Sequence, residues 1–380
     1  MKSRLEIPFD VETTTLNKGN PYNKDNKLVA IGIDNYLLYK EDWNIVSLQK
    51  IVDNNILIGH NIKFDIAWLR NIGINFDNAI IRDTQLAEFL ITNQTHSFAS
   101  LEELAVKYLN EHKLDIIKEE YWEKGIDTWF IPKETLLEYL QQDLNLTIEI
   151  FNKQKQILIN TGKWNLYILQ CLDLLELQEM EYNGILLNKE ECINKGDKLL
   201  ETIDEYKKYI SSFSNCPNFN CSSGDHLSCL LYGGTISDSI HVDNGVYKTG
   251  KKAGFPKYRI VTNEYKQDQL VSPIKGSELK KEGYYSTDEA TLKSLKPKNK
   301  EIKKLIEYIL KLSKLEKLVG TYFHGIPKMM DESGWKDNYI HGQFNQVVAR
   351  TGRTSSSKPN QQNFDPEFQK LCISRYNETI

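Results

Sequence analysis

The chain has 380 residues, enough for two or three domains, and 40% of them are hydrophobic, which excludes a disordered polymer. Its formal net charge is −4, so any affinity for a polyanion must come from local basic patches and not from the chain as a whole. No apolar run is long enough for a bilayer span, and the charged opening MKSRLEIPFDVE is unlike a signal peptide; a cytoplasmic protein is expected, in a host cytoplasm if viral.

Residues 5–12, 27–34 and 36–39 read as short strands separated by turn-formers. A helical pattern at 42–54 leads to an apolar strand at 56–60. Residues 61–73 carry helical spacing through Ile62, Ala67, Leu69 and Ile72, and stop at Gly73. Helices are predicted at 83–90 and 100–109, with a long one at 132–158 that has Pro132 near its first turn. Consecutive strands followed by alternating strand and helix predict a mixed sheet flanked by helices, an α/β domain. Pro8 sits awkwardly there, because it cannot donate to a central ladder.

From about Trp164 the pattern turns helical, with helices predicted at 165–184 and 188–213. The segment 246–266, VYKTGKKAGFPKYRIVTNEYK, is basic and reads as loop-rich. Ser286 and Glu289 stand at capping-box spacing before a short helix, and a Lys-rich helix is predicted over 299–326. Six cysteines are scattered and are expected to be reduced. The cluster Cys216, Cys221, His226, Cys229 and His241 lacks the paired C-x2-C spacing of a zinc site.

Asp10 and Glu12 are two apart on a predicted strand, so both side chains leave one face. Asn61 and Asp65 are four apart, as are Tyr139 and Asp143. Each pair alone reads most simply as solvated surface. Together, on three elements with apolar opposite faces, they are four carboxylates that would repel unless divalent cations neutralised them. No His or Cys accompanies the set, so hard, oxygen-binding Mg²⁺ or Mn²⁺ fits it. Two such ions support phosphodiester hydrolysis, with Tyr139 placed to hold the attacking water.

The segments FDVETTTL, GHNIKFD and YLQQD resemble the three exonuclease motifs of the DEDD superfamily, in the subclass with Tyr before the last Asp. With RDTQLAEFL, they most resemble the proofreading domain of family A DNA polymerases. This resemblance implies a ribonuclease-H-like fold and removal of nucleotides from a 3′ end. It implies two Mg²⁺ or Mn²⁺ ions, one held by Asp10, Glu12 and Asp143 and the other by Asp10 and Asp65. Leu16, Asn61 and Phe64 would hold the terminal nucleotide.

HGQFNQVVARTGRTSSSKPNQQN, residues 341–363, resembles the segment leading into the palm of the same family, with Thr354 and Gln361 replacing the usual leucines. That resemblance implies minor-groove and backbone contacts to duplex DNA from Arg350, Arg353, Ser355, Ser356, Asn360, Gln362 and Asn363. The organisation it implies is an exonuclease domain at 1–160 and a mainly α thumb at 161–338 with a basic insertion at about 233–285. The start of a palm follows at 339–380, as in bacteriophage members. Single-stranded 3′ ends and primer–template duplex are the implied DNA partners. The family's first polymerase metal motif does not occur in the sequence, so a separate palm and fingers subunit is expected as a protein partner, and a processivity factor is a further candidate for the basic insertion. The competing readings are a non-catalytic scaffolding subunit and a stand-alone nuclease like ribonuclease D.

Overall fold

The computed structural model describes residues 4–113 and 116–374; the last residues of the expected palm start, 375–380, lie outside them. The chain opens with a five-stranded sheet of β1 (Leu5–Thr13), β2 (Leu28–Ile33), β3 (Tyr36–Tyr39), β4 (Asn55–Gly59) and β5 (Ile80–Asp83). Their order is β3-β2-β1-β4-β5. β1, β2 and β3 pair antiparallel, whereas β4 and β5 run parallel to β1. This is the expected mixed sheet.

Pro8 is tolerated in the central strand because its missing donor falls at a ladder end. Its carbonyl accepts the Asp34 N–H just past the end of β2, so a single bond is forgone. β5 was not anticipated. Its four residues run directly into Asp83, which accepts from the Leu86 N–H and caps the next helix.

Among the described residues, seven α-helices surround or follow the sheet: α1 (Ile45–Asn54), α2 (Lys63–Asn71), α3 (Thr84–Ile91), α4 (Leu101–Leu109), the unpredicted α5 (Ile116–Glu120), α6 (Lys133–Asn160) and α7 (Trp164–Asn183). α6 packs on the face of β2 that carries Ala30 and Gly32, through Leu136, Leu140 and Leu144. The main core fills the other side with Phe9, Ile31, Ile33, Leu57, Phe76 and Phe89.

The later strands are β6 (Ile185–Leu187), β7 (Gly234–Val246), β8 (Pro256–Gln267), β9 (Tyr339–Ile340), β10 (Gln343–Asn345), β11 (Ser355–Ser357) and β12 (Cys372–Ile373). β6 is the middle of a three-stranded sheet ordered β12-β6-β9, and β10 pairs with β11.

The chain forms two compact units. One takes the residues up to Lys189 together with those from Ile326 onward; the other is Glu190–Gly325. The boundaries expected at 160 and 338 do not coincide with these units. The reason is packing: Tyr167, Cys171 and Leu174 of α7 belong to the main core of the first sheet.

The second unit holds α8 (Lys189–Ser211, entered from the first unit), α9 (Gly224–Tyr232), α10 (Glu289–Ser294), α11 (Lys300–Lys317) and the β7–β8 hairpin. The hairpin corrects the loop expected at 246–266. Near its base Ile236 is buried with Cys216 and Cys229, and Tyr265 packs against them; farther out most residues on both faces are exposed. A ribbon wet on both faces shows no apolar alternation to read. The cap of α10 is Asp288, accepting from the Thr291 N–H, and not Ser286. No described helix is long and apolar enough to cross a membrane.

Candidate active site

β1 projects Asp10 and Glu12 from one face, Asp65 stands in the first turn of α2, and Tyr139 and Asp143 share a face of α6. One carboxylate oxygen from each of Asp10, Glu12 and Asp143 lies within 4.8 Å of the others. Asp65 adjoins them: its Oδ1 accepts the N–H of Val11, the residue between Asp10 and Glu12, at 3.2 Å, and the Asp10 charge acts on it. The four acids predicted from three separated segments therefore meet.

Burial and mutual repulsion outweigh the nearby Lys113 ammonium in their electrostatics. Burial, then the charge of Asp143, pushes Asp10 up to about 7. Burial, then Asp10 and Asp143, raises Glu12 well above its ordinary value, and burial followed by Asp10 does the same for Asp65. Asp143 is raised by burial although Lys113 opposes it, and its Oδ1 is buried without a hydrogen-bond partner. Desolvated carboxylates that resist ionisation, one with an orphaned oxygen, fit a hard divalent cation. Asp10, Glu12 and Asp143 would ligate it.

Tyr139 is buried, edge-on to Trp122 with ring centroids 6.2 Å apart. Burial and then Asp143 raise its hydroxyl pKa, so it stays a neutral donor. Sequence reasoning missed Lys113. Its Nζ lies 2.5 Å from Asp143 Oδ2 and 4.5 Å from the centre of the Tyr139 ring.

Leu16 is 49% exposed at the start of a short 3₁₀ turn, Leu16–Gly19. The chain around it is pinned on both sides. Asp127 accepts from the N–H and hydroxyl of Thr15 at 2.7 and 2.8 Å, and Asn26 donates to the Leu16 carbonyl at 2.7 Å. Asn61 precedes α2 with φ +55°, a left-handed conformation. It is held by Asp83, whose Oδ2 accepts the Ile62 N–H at 2.7 Å, and by the Phe64 N–H on its own carbonyl. Asp83 is thus a support residue absent from the expected set, although its cap position before Thr84 signalled it.

In the C-terminal strip Arg350, Arg353, Asn360, Gln362 and Asn363 are exposed and Ser355 is half-buried. Ser356 is buried, its hydroxyl donating to the Pro359 carbonyl and accepting from the Gln361 N–H, so it is committed to the turn. An open cleft of about 620 Å³ has Asn61, Lys63 and Phe64 on one wall and Gln343, Asn345 and Lys358 on another.

The mixed sheet with this acidic cluster is a ribonuclease-H-like domain of the exonuclease type. A family model described as 3′-5′ exonuclease matches residues 2–159, and one described as DNA polymerase family A matches residues 257–375. The chain thus matches an exonuclease domain ahead of a segment of DNA polymerase family A. It is 27% identical over 386 aligned residues to DNA polymerase I of Borreliella burgdorferi, covering 97% of this chain and 36% of that protein. It is 26% identical to DNA polymerase I of Treponema pallidum, covering 81% and 26%. It is 25% identical to DNA polymerase DpoZ of Salmonella phage PMBT28, covering 56% and 36%. The chain thus spans about a quarter to a third of the length of these curated relatives. Among solved structures, the POL domain of Pol1 from M. smegmatis, in complex with DNA primer-template and dNTP, aligns with a TM-score of 0.63. The identity is 18%, over 96% of this chain and 52% of that one, a likeness of fold.

Proposed function

We propose that the chain is a 3′–5′ exonuclease that trims primer ends as the N-terminal part of a family A DNA polymerase. The observation that carries this reading is the meeting of Asp10, Glu12 and Asp143 within 4.8 Å, with Asp65 adjoining. Two Mg²⁺ ions are the cations we assign, Mn²⁺ being the alternative of similar chemistry. When bound, such ions supply the positive charge that activates water and stabilises the phosphorane-like transition state. The chain's own residues do the rest. Tyr139 donates its hydroxyl to orient the attacking water, Leu16 wedges against the terminal base, and Asn61 and Phe64 hold the terminal nucleotide.

Duplex DNA is the partner we assign to Arg350, Arg353, Ser355, Asn360, Gln362 and Asn363. The cleft from Gln343 and Asn345 to Asn61 would carry a frayed strand from there to the acids. Residues 1–160 are then the exonuclease domain, 161–338 a thumb with its β7–β8 insertion, and 339 onward the start of a palm. Palm and fingers segments, on the same or a separate polypeptide, would complete a polymerase, and a processivity factor is our second assignment for the β7–β8 hairpin.

The test is release of mononucleotides from 5′-labelled single-stranded DNA by the purified chain with Mg²⁺. Asp143→Ala should lower the single-turnover rate about a thousandfold or more, because a cation seat is lost. Tyr139→Phe should cost about tenfold to a hundredfold. Full activity in Asp143→Ala would remove the assigned site, and inactivity of the wild type with intact duplex binding would leave a scaffolding subunit.

A further inference from the structure

The acidic centre contains a cation of its own. Among the described residues, Lys113 is the ammonium whose field reaches Asp10, Glu12 and Asp143 together. Its contact with Asp143 is direct, at 2.5 Å, and shielded: the two side chains are 21% and 4% exposed. The loop that carries Lys113 is fixed from two sides. Glu102 of α4 accepts the Lys113 N–H at 2.6 Å, and Gln142 of α6 donates to the His112 carbonyl at 3.3 Å. The backbone is therefore anchored while the charge rides on a long flexible stem. Asp143 spends one oxygen on this ammonium and leaves the other buried and unpaired.

We propose that Lys113 is a positioning residue of the centre, an internal counter-ion that holds Asp143 and Tyr139 in the cation-free protein and yields Asp143 when a divalent cation binds. The proposal rests on the nuclease reading of these carboxylates. Four buried acids without any cation would repel one another strongly enough to disturb β1 and α6. A lysine suits the task because its ammonium is a compact point charge on a flexible stem, able to leave without unpicking a bidentate fork. The same contact makes it a competitor, since the incoming cation must take an oxygen that the ammonium already holds. Lys113 thereby trades cation affinity for an ordered apo site.

The experiment uses the full chain, with Mn²⁺ as the probe. Calorimetric titration should give Lys113→Met an affinity for Mn²⁺ about tenfold higher than the wild type. In EDTA the same variant should melt at a lower temperature, and added Mn²⁺ should raise its melting point more than it raises that of the wild type. Lys113→Arg, which keeps the charge, should retain the wild-type melting point in EDTA. If Lys113→Met is unfolded in EDTA, refolding on addition of Mn²⁺ supports the proposal and failure to refold overturns it. Equal Mn²⁺ affinity and equal melting in EDTA would overturn it and leave the nuclease reading standing. Absence of Mn²⁺ binding by both proteins would overturn both.

Discussion

Lys63, the first residue of α2, and Glu181, in the last turn of α7, form an ion pair at 2.6 Å that is mostly buried, with exposures of 18% and 7%. Both also bind the backbone of Phe344 in β10: Lys63 donates to its carbonyl, and Glu181 accepts its N–H. One side-chain pair thus ties the helix that carries Asp65 to the strand that opens the C-terminal strip.

Removing one partner of such a pair leaves a buried charge uncompensated. Glu181→Ala should destabilise the protein by about 2–4 kcal/mol in urea titrations. The double variant Lys63→Met with Glu181→Gln should lose much less than the sum of the single changes. Additive losses would mean that the two residues act separately.

Gly32 of β2 lies under the turn of α6 that separates Tyr139 from Asp143. A Cβ there would stand 2.7 Å from Leu144 Cδ1 and 3.0 Å from Leu140 Cγ, too close unless these leucines or the turn that carries them shift. Gly32→Ala should cost about 1–3 kcal/mol by overpacking. It should also slow nucleotide release, because the displaced turn carries two residues of the centre. A variant with wild-type melting and wild-type rate would show that α6 yields there at no cost.

His60 is held down to about 4, chiefly by burial, with the Lys113 ammonium adding to the effect. The unfolded chain takes a proton near 6.5 that the folded chain refuses until about 4. Stability contributed by neutral His60 is therefore complete above about 6.5 and is lost as pH falls toward 4. His60→Gln should flatten the urea-midpoint profile across that window, by an amount on the order of 2 kcal/mol at its acid end. Parallel profiles for the two proteins would refute the neutral histidine.

The duplex reading makes a separable claim about salt. Arg353→Ala should weaken binding by a similar factor on duplexes of different sequence. Replacing Lys251, Lys252 and Lys257 in the β7–β8 hairpin with Ala should lower the slope of log affinity against log salt by up to about 0.9 for each phosphate no longer neutralised. A slope that does not change would detach the hairpin from DNA and leave it to a protein partner.

Asp10, Glu12 and Asp143 were legible because they sit at spacings that β1 and α6 convert into a shared face, two apart along β1 and four after Tyr139 along α6. Asp65 was legible from its motif, since its spacing partner Asn61 precedes α2. Lys113 was not, since a lysine in a turn has no period and its partner Asp143 lies thirty positions on, brought near only by the packing of α4 and α6. β5 escaped because four residues are too few to show alternation before the cap at Asp83 begins a helix. The β7–β8 hairpin escaped for the opposite reason: it is long, but Lys- and Gly-rich at its tip and mostly exposed along both faces beyond its base, so burial never imprinted a pattern on it.

β6 is the middle strand of its sheet, yet both of its neighbours, β9 and β12, come after the whole of Glu190–Gly325 in the chain. During synthesis at ~5–20 residues per second, that intervening stretch keeps β6 unpaired on both edges for on the order of ten seconds. The five-stranded sheet has all of its strands by Asp83 and can close with α6 long before then. A ribosome therefore carries a finished first sheet and an orphan strand at the same time, and Ile185–Leu187 is the point at which a neighbouring nascent chain could pair wrongly.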